Sequence, residues 1–552
     1  MYVYDEYDHR MLAERVAQFR DQTARYLAGK LSDAEFLPLR LQNGLYIQRL
    51  APMLRVAIPY GLLSSRQIRK LAFIARHFDK GYGHLTTRQN IQFNWPELVE
   101  APDILAHLAE VEMHAIQTSG NCIRNVTTDH YAGVAADEVE DSRPWCELIR
   151  QWSTFHPEFA HLPRKFKIAV CGTPADQAAT QVHDIGVYLI RTESGEVAFR
   201  ILAGGGLGRT PVIGQAVFDF VEKRHLLTAL EAIMRVYNRE GRRDNKYKSR
   251  IKILVRETGV EKFREKVHAE WERIKGSALT LTDAEIERCK SFFTDPDYVR
   301  RLNGSDVLTE KLLEDPEFAR WHRRNVRQHK QPGYGIVTIS LKQTGVAPGD
   351  VTDGQLEFIA HLADKYSFGE ARVSHKQNII LADVEQRKLH DLWRDLSTQS
   401  LETPALGLLT DIICCPGGDF CALANAKSIP VAEEIQRFFD DAAELEEIGD
   451  LQVNISGCMN ACGHHHVGNI GILGVDKRGE EFYQISIGGS SAREASLARI
   501  LGPSFARDEV PGVMRTLVDV YQAEKRQDES FLDTYRRIGH EPFKQAVYAD
   551  SH

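Results

Sequence analysis

From Gln67 to Phe78 apolar positions recur at helical spacing, and a turn at Gly81 then leads into a strand-like run ending at Phe93. The same succession returns from Gln355 through Gly369 to Leu381. An offset of 288 aligns the two segments without a gap, with 7 of 27 positions identical where chance gives roughly two. Ala72/Ala360, Ala75/Ala363, Gly81/Gly369 and the Gln-Asn-Ile of 89–91 and 377–379 are shared. Further on, Ile185/Ile470 and Gly204/Gly488 keep the order at offsets of 285 and 284, the drift that loop deletions leave. The chain reads as one architecture written twice.

Helical and strand signals alternate throughout, which predicts an α/β (α+β) fold. Each half is expected to hold a smaller unit, at 40–110 and 326–400, and a larger α/β unit, at 111–275 and 401–552. Residues 1–39 form an N-terminal extension in this scheme, and 276–325, charged and broken by TDPDY and EDP, a helical connector.

Composition narrows the function classes. Among 552 residues, 43% are hydrophobic and 26% charged, as in ordinary globular chains. Lys+Arg 69 against Asp+Glu 77 leaves a net charge of −8 and no broad positive field for nucleic acid. No run of about 18 apolar residues suggests a membrane span. Nine cysteines are too few for a disulfide scaffold, and the acidic start MYVYDEYDHR lacks an export signal, so a soluble cytoplasmic protein is expected.

Four cysteines gather in the second half: Cys415 and Cys421 (C-x5-C) in CCPGGDFC, then Cys458 and Cys462 (C-x3-C) in SGCMNACG. Glycine and proline beside them let the backbone bend around a metal. Structural zinc favours C-x2-C knuckles, so these spacings point to an iron–sulfur cluster, with buried structural thiols as the alternative. Cys414 fits the pattern less well. Through the 288 offset the four positions fall on Thr127, Gly133, Val170 and Pro174, so one half alone is expected to hold a cluster. Cys122, Cys146, Cys171 and Cys289 have no partner spacing and read as core or free thiols. GGGLG (204–208) departs from G-x-G-x-x-G at Arg209, which removes a dinucleotide site and leaves a tight loop near a cofactor. His464, His465 and His466 alternate sides on an extended chain and read as loop structure.

The first half holds the cations. In LPRKFKIAV a period-two strand places Lys165, Lys167 and Ala169 on one face, with Val453 and Ile455 as the repeat counterparts of the two lysines. LTTRQNIQF reads as a strand with Thr86, Arg88, Asn90 and Gln92 on one side, and MLRVAIP as one with Arg55 opposite Leu54, Val56 and Ile58. Arg124, in CIRNVTT, completes the set. Basic groups on otherwise apolar strands suit anion binding.

This constellation resembles the sirohaem-dependent sulfite and nitrite reductases, from about Arg40 to the region of Arg537. The resemblance implies two ferredoxin-like half units, two larger α/β sirohaem-binding units, and a 4Fe–4S cluster on Cys415, Cys421, Cys458 and Cys462, with Cys462 also ligating the sirohaem iron. It implies substrate contacts from Arg55, Arg124, Lys165 and Lys167, and sirohaem contacts from Thr86, Arg88, Gln92, Arg250, Lys252 and Asn460. RLQNGLYIQ (40–48) resembles a further family motif near the haem. Thr127 and Thr128 stand where some members carry a cysteine that crosslinks to a tyrosine, so no crosslink is expected. The pair Lys165 and Lys167 resembles the sulfite-reducing members, whereas nitrite-reducing members tend to have a neutral amide at the second lysine. The implied function is assimilatory reduction of sulfite to sulfide by six electrons. Sirohaem nitrite reduction to ammonia is the alternative, and a non-catalytic iron–sulfur electron-transfer or redox-sensing protein the alternative of another class. No flavin or NADPH module is legible, so the expected donor is ferredoxin or a separate NADPH-dependent flavoprotein.

Overall fold

The computed structural model describes residues 1–299 and 306–549; residues 300–305 of the expected connector and 550–552 lie outside the described residues. Ser64-x-x-Gln67 and Thr352-x-x-Gln355 are capping boxes, and they start the helices Ser65–Phe78 and Asp353–Tyr366 at equivalent places in the two halves. The apolar faces of these helices, including Ile68, Leu71 and Ile74 on one and Leu356, Ile359 and Leu362 on the other, share a single core. Truncating one such leucine to alanine typically costs about 2–5 kcal/mol.

The two ferredoxin-like half units exchange their edge strands. Four antiparallel strands, Leu45–Ile47, Pro52–Val56, Ile91–Phe93 and Tyr82–Leu85, are completed by Asp350–Thr352 from the second half. Reciprocally, Val326–Gln328, Tyr334–Ile339, Ile379–Glu385 and Glu370–Val373 are completed by Leu62–Ser64 from the first. Neither half unit closes its sheet alone, because each edge would otherwise leave a row of backbone groups unpaired.

The two larger units carry sheets of one topology. In the first, Gln215–Glu222, Val197–Ala203 and Ile185–Arg191 run antiparallel, then Ile168–Cys171 and Thr127–Thr128 follow in parallel. In the second, Ile413–Cys414, Val453–Ser456 and Ile470–Lys477 are parallel, with Glu480–Ile487 and Arg499–Ile500 antiparallel beyond them. Each central parallel strand is buried along its whole length, which is why IAVC and VNIS carry almost no charge. Loops leaving the carboxyl ends of such strands are where α/β sheets place their ligands.

Three readings of the sequence are corrected. LTTRQNIQF is a hairpin: Tyr82–Leu85 and Ile91–Phe93 flank a tight turn in which Thr86 N–H donates to Asn90 O at 2.8 Å and Gln89 adopts a φ of 56°. The alternation mimicked a strand because a five-residue turn between two strands also returns side chains to one side. In LPRKFKIAV regular pairing begins at Ile168, and Lys165 and Lys167 lie on an irregular lead-in held by a bridge between Phe166 and Ile123. Finally, Ile168 pairs with Ile185 as Val453 pairs with Ile470, so the offset in this region is 285. The counterparts of Lys165 and Lys167 are therefore Asp450 and Gln452 rather than Val453 and Ile455. By the same register Cys415, Cys458 and Cys462 fall opposite Asp129, Thr173 and Gln177. Among the described residues no helix is long and apolar enough to cross a membrane.

Candidate functional site

Arg55, on Pro52–Val56, stands in register with Gln92 on Ile91–Phe93, and its guanidinium donates to Gln92 Oε1 at 3.3 and 3.1 Å. Gln92 in turn donates to Asn94. One backbone oxygen gathers the neighbours: Thr118 O accepts from Arg124 Nη1 at 2.7 Å, Arg55 Nη1 at 3.4 Å and the Tyr46 hydroxyl at 3.5 Å. Arg124 is fixed further by two bonds to Gly120 O, at 2.8 and 3.3 Å. Arg55 also lies over the Tyr46 ring, 5.4 Å from its centroid. Burial alone would raise the Tyr46 phenol, yet Arg124, Arg55 and Lys165 together hold it below its ordinary value. Tyr46 belongs to the RLQNGLYIQ segment, and composition gave no sign that its hydroxyl meets the cations.

A second group of cations adjoins the first. Arg250 makes a bidentate pair with the fully buried Asp184, at 2.8 Å to each oxygen, and Asp184 also accepts the Lys167 backbone N–H at 2.9 Å. Arg88 is buried and spends its donors on Thr127 Oγ1 at 2.9 Å and Asn125 O at 2.5 Å, leaving Nε without a partner. Lys252 reaches Leu207 O at 2.7 Å and Thr210 O at 2.5 Å. Thr86 Oγ1 accepts from the backbone of Arg88 and Asn90 and so shapes its own turn. Burial pushes the Lys165 ammonium down to about 8, with Cys462 opposing and Arg124 and Arg250 adding to the shift. Lys167 is driven well below its ordinary value by burial, Lys165, Arg88 and Arg250, and Lys252 falls to about 8 through burial and Arg250. Among the described residues, Arg250 is the one member of this set with a carboxylate at ion-pair distance. So many cations drawn together with so little counter-charge are stable when an anionic ligand joins them.

The four cysteines occupy two loops whose close packing requires glycine. A Cβ on Gly417 would lie 2.0 Å from Ser428 Oγ, and one on Gly463 1.9 Å from Ile455 O. Cys415 Sγ accepts the Gly457 N–H at 3.2 Å, the kind of bond that stabilises a metal-bound thiolate. Burial pushes the Cys415 thiol up to about 12 and raises Cys421 and Cys458, and Cys462 adds to the shift at all three. A ligand that takes these thiols as thiolates must release their protons. Asn460 is exposed, with its side chain bonded toward Cys458. Cys414 is fully buried, its thiol on Cys415 O at 3.2 Å and its backbone held on both sides by Gln377.

Contacts between the halves bring thiols and cations together. Thr87 Oγ1 donates to Cys462 O at 2.8 Å, Ala422 N–H to Gln48 Oε1 at 2.9 Å, and His466 Nε2 lies 3.0 Å from Gly208 O. An apolar floor of Ala179, Val182, Leu207, Ala461 and Val467 joins the two sides. Gly206 lets the chain pass the cations, since a Cβ there would meet Arg250 Nη2 at 2.9 Å. The donor set fits both implied groups: unpaired cations around an apolar floor suit a flat macrocycle rich in carboxylates, and four thiols suit a cluster. The division of labour also follows from the corrected register. Asp450 stands at the Lys165 position of the second half, paired with Arg324 at 2.8 Å, and Asp129 and Thr173, bonded to one another, stand at two cysteine positions of the first.

The family model described as nitrite and sulphite reductase 4Fe-4S domain matches residues 119–275 and 408–552, and that described as nitrite/sulfite reductase ferredoxin-like half domain matches 48–111 and 327–398. The assimilatory ferredoxin-dependent nitrite reductase of Haloferax mediterranei is 28% identical over 503 residues, 87% of this chain and 80% of that protein. The chloroplastic ferredoxin–nitrite reductase of Arabidopsis thaliana is 28% identical over 87% of this chain and 78% of its own length. The ferredoxin–nitrite reductase of Synechococcus elongatus is 28% identical over 84% and 85%. The fold resembles that of the Mycobacterium tuberculosis NirA protein, with a TM-score of 0.77 at 23% identity over 93% of this chain and 92% of that one. The duplicated fold, the thiol loops and the matches along both halves give one conclusion: this chain belongs to the sirohaem-dependent nitrite and sulfite reductase family, oxidoreductases whose cofactors are sirohaem and a 4Fe–4S cluster.

Proposed function

We propose that this chain reduces nitrite to ammonium with reduced ferredoxin as donor, nitrite taking up six electrons and eight protons and yielding ammonium and two waters. The observation that carries the reading is the extent of the likeness to ferredoxin-dependent nitrite reductases, 28% identity along 87% of the chain. It favours nitrite over the assimilatory sulfite reduction expected from the sequence, and ferredoxin over an NADPH-dependent flavoprotein. Sulfite reduction is the second reading, favoured by the neighbouring lysines 165 and 167. The surroundings of Lys167 weaken that argument. It sits among Arg88 and Arg250, its backbone bonded to the carboxylate that clamps Arg250, where macrocycle carboxylates are the natural counter-charge.

Sirohaem, when bound, supplies the iron at which the oxyanion is held and reduced, and the cluster supplies electrons singly. Cys415, Cys421, Cys458 and Cys462 would hold the cluster, Cys462 facing the haem iron as well. Arg88, Arg250, Lys252 and Lys167, with Thr86, Gln92 and Asn460, would hold the macrocycle. Arg55, Arg124 and Lys165 then take the substrate. The two guanidiniums, tied through Thr118 O, neutralise its charge and polarise its oxygens without reorganising. An ammonium near pKa 8 gives up a proton and recovers it from water around neutrality, which suits Lys165 to proton delivery. Removing one such donor costs about 10²–10³ in rate.

The test is a side-by-side assay of purified holoenzyme with reduced ferredoxin, measuring ammonium from nitrite and sulfide from sulfite. Nitrite is expected to win in kcat/KM by about tenfold or more. The reverse order would establish the sulfite reading, and turnover of neither anion would overturn both.

A further inference from the structure

The loop whose carbonyls hold Arg124 also walls a cavity of about 410 Å³, to which Gln117, Ser119 and Gly120 contribute. None of the cations assigned above to sirohaem or substrate lines it. Leu41, Ile116, Phe155 and Phe159 give it an apolar, partly aromatic wall, and Arg15 and Arg164 bring two guanidiniums. Neither arginine has a carboxylate at ion-pair distance among the described residues. Arg15 makes only long contacts to the amide oxygens of Gln18 and Gln42, at 3.5 and 3.4 Å, and its buried Nε has no partner. Burial, Arg124 and Arg250 all disfavour the charge on Arg164.

Backbone strain marks the same place. Phe155 has a φ of 55° and Gln117 one of 63°, a left-handed conformation that an aromatic or long side chain adopts rarely. Packing of Phe155 into the core does not explain it, because the residue is 47% exposed and presents its ring to Arg15, 5.2 Å away. Strained residues of this kind gather at ligand clamps.

We propose that this cavity binds a small planar aromatic carboxylate, its ring against Phe155, Leu41 and Ile116 and its carboxylate on Arg15. The volume falls in the range of small-molecule sites, and a carboxylate takes paired bonds from a guanidinium as no neutral group does. A cation is excluded by the two arginines, and an inorganic anion leaves the apolar wall unused.

The test titrates the holoenzyme calorimetrically with naphthalene-2-carboxylate and, separately, with the neutral naphthalene-2-carboxamide. The carboxylate should saturate one site per chain, and the carboxamide should bind about tenfold more weakly or worse. Leu41→Trp, which places an indole where the ligand ring would lie, should abolish binding, and Arg15→Gln should weaken the carboxylate about tenfold while leaving the carboxamide unchanged. Arg15 lies on an outer helix, so its variant decides the matter if Leu41→Trp fails to fold. Absence of saturable binding, equal affinity for the two probes, or carboxylate binding unaffected by Arg15→Gln would overturn the proposal.

Discussion

Gln89 and Gln377 each reach across to the other half: Gln89 Nε2 donates to Val373 O at 3.1 Å, and Gln377 Nε2 to Leu85 O at 2.8 Å. Both residues take left-handed backbone angles, 56° and 58°. Each side-chain oxygen then accepts an N–H from the strand entering its own larger unit, Thr128 for Gln89 and Cys414 for Gln377. The second bond places Cys414 and so the adjoining Cys415, which links exchange between halves to the thiol loops.

Gln377→Leu strands several buried backbone groups at once, each worth about 1–3 kcal/mol when left unpaired. The variant should melt well below the wild type and carry less iron per chain, whereas Gln89→Leu should melt lower with iron content retained. Full iron in Gln377→Leu would break the link between this residue and the cluster loop.

Much of this was legible in the sequence because the decisive residues lie close together along the chain. Cys415, Cys421, Cys458 and Cys462 sit in two short loops, so spacing alone pointed to a cluster. The repeat showed through residues 67–93 and 355–381 because both copies pack helix faces into one core. The exchanged strands Leu62–Ser64 and Asp350–Thr352 were invisible, since pairing between residues so far apart in the chain leaves no local signal. A fixed offset misplaced the counterparts of Lys165 and Lys167, because short deletions accumulate in loops. Tyr46, Thr118 and Asp184 were missed as well: a backbone oxygen that ties two arginines together, and a carboxylate that clamps a third, are fixed by tertiary geometry alone.

Lys165 gives the activity an alkaline limb. With its ammonium held at about 8, the proton is present below that pH and lost above it, so kcat/KM for nitrite should fall as pH rises through this region. Lys165→Arg keeps the charge at every accessible pH and should move the limb upward while lowering the rate about 10²-fold. A limb unmoved in this variant would assign the titration elsewhere.

Lys167→Asn separates substrate recognition from cofactor binding. If Lys167 answers macrocycle carboxylates, kcat/KM should fall by a similar factor for nitrite and sulfite, and sirohaem content per chain should fall with it. A loss about tenfold greater for sulfite, at unchanged sirohaem content, would show instead that the second ammonium reads the charge of the substrate.

The most direct test of a single centre built from first-half cations and second-half thiols is Cys462→Ser, followed by absorption and electron paramagnetic resonance spectra of the sirohaem-supplied protein. Serine is a poor ligand for soft iron, and Cys462 alone is proposed to serve both groups, so the sirohaem and cluster signals should fall together. Cys414→Ser, at a buried thiol bonded to the Cys415 carbonyl and not proposed as a cluster ligand, should leave both intact. Loss of one signal in Cys462→Ser with the other at full strength, or loss of the cluster in Cys414→Ser, would contradict the account.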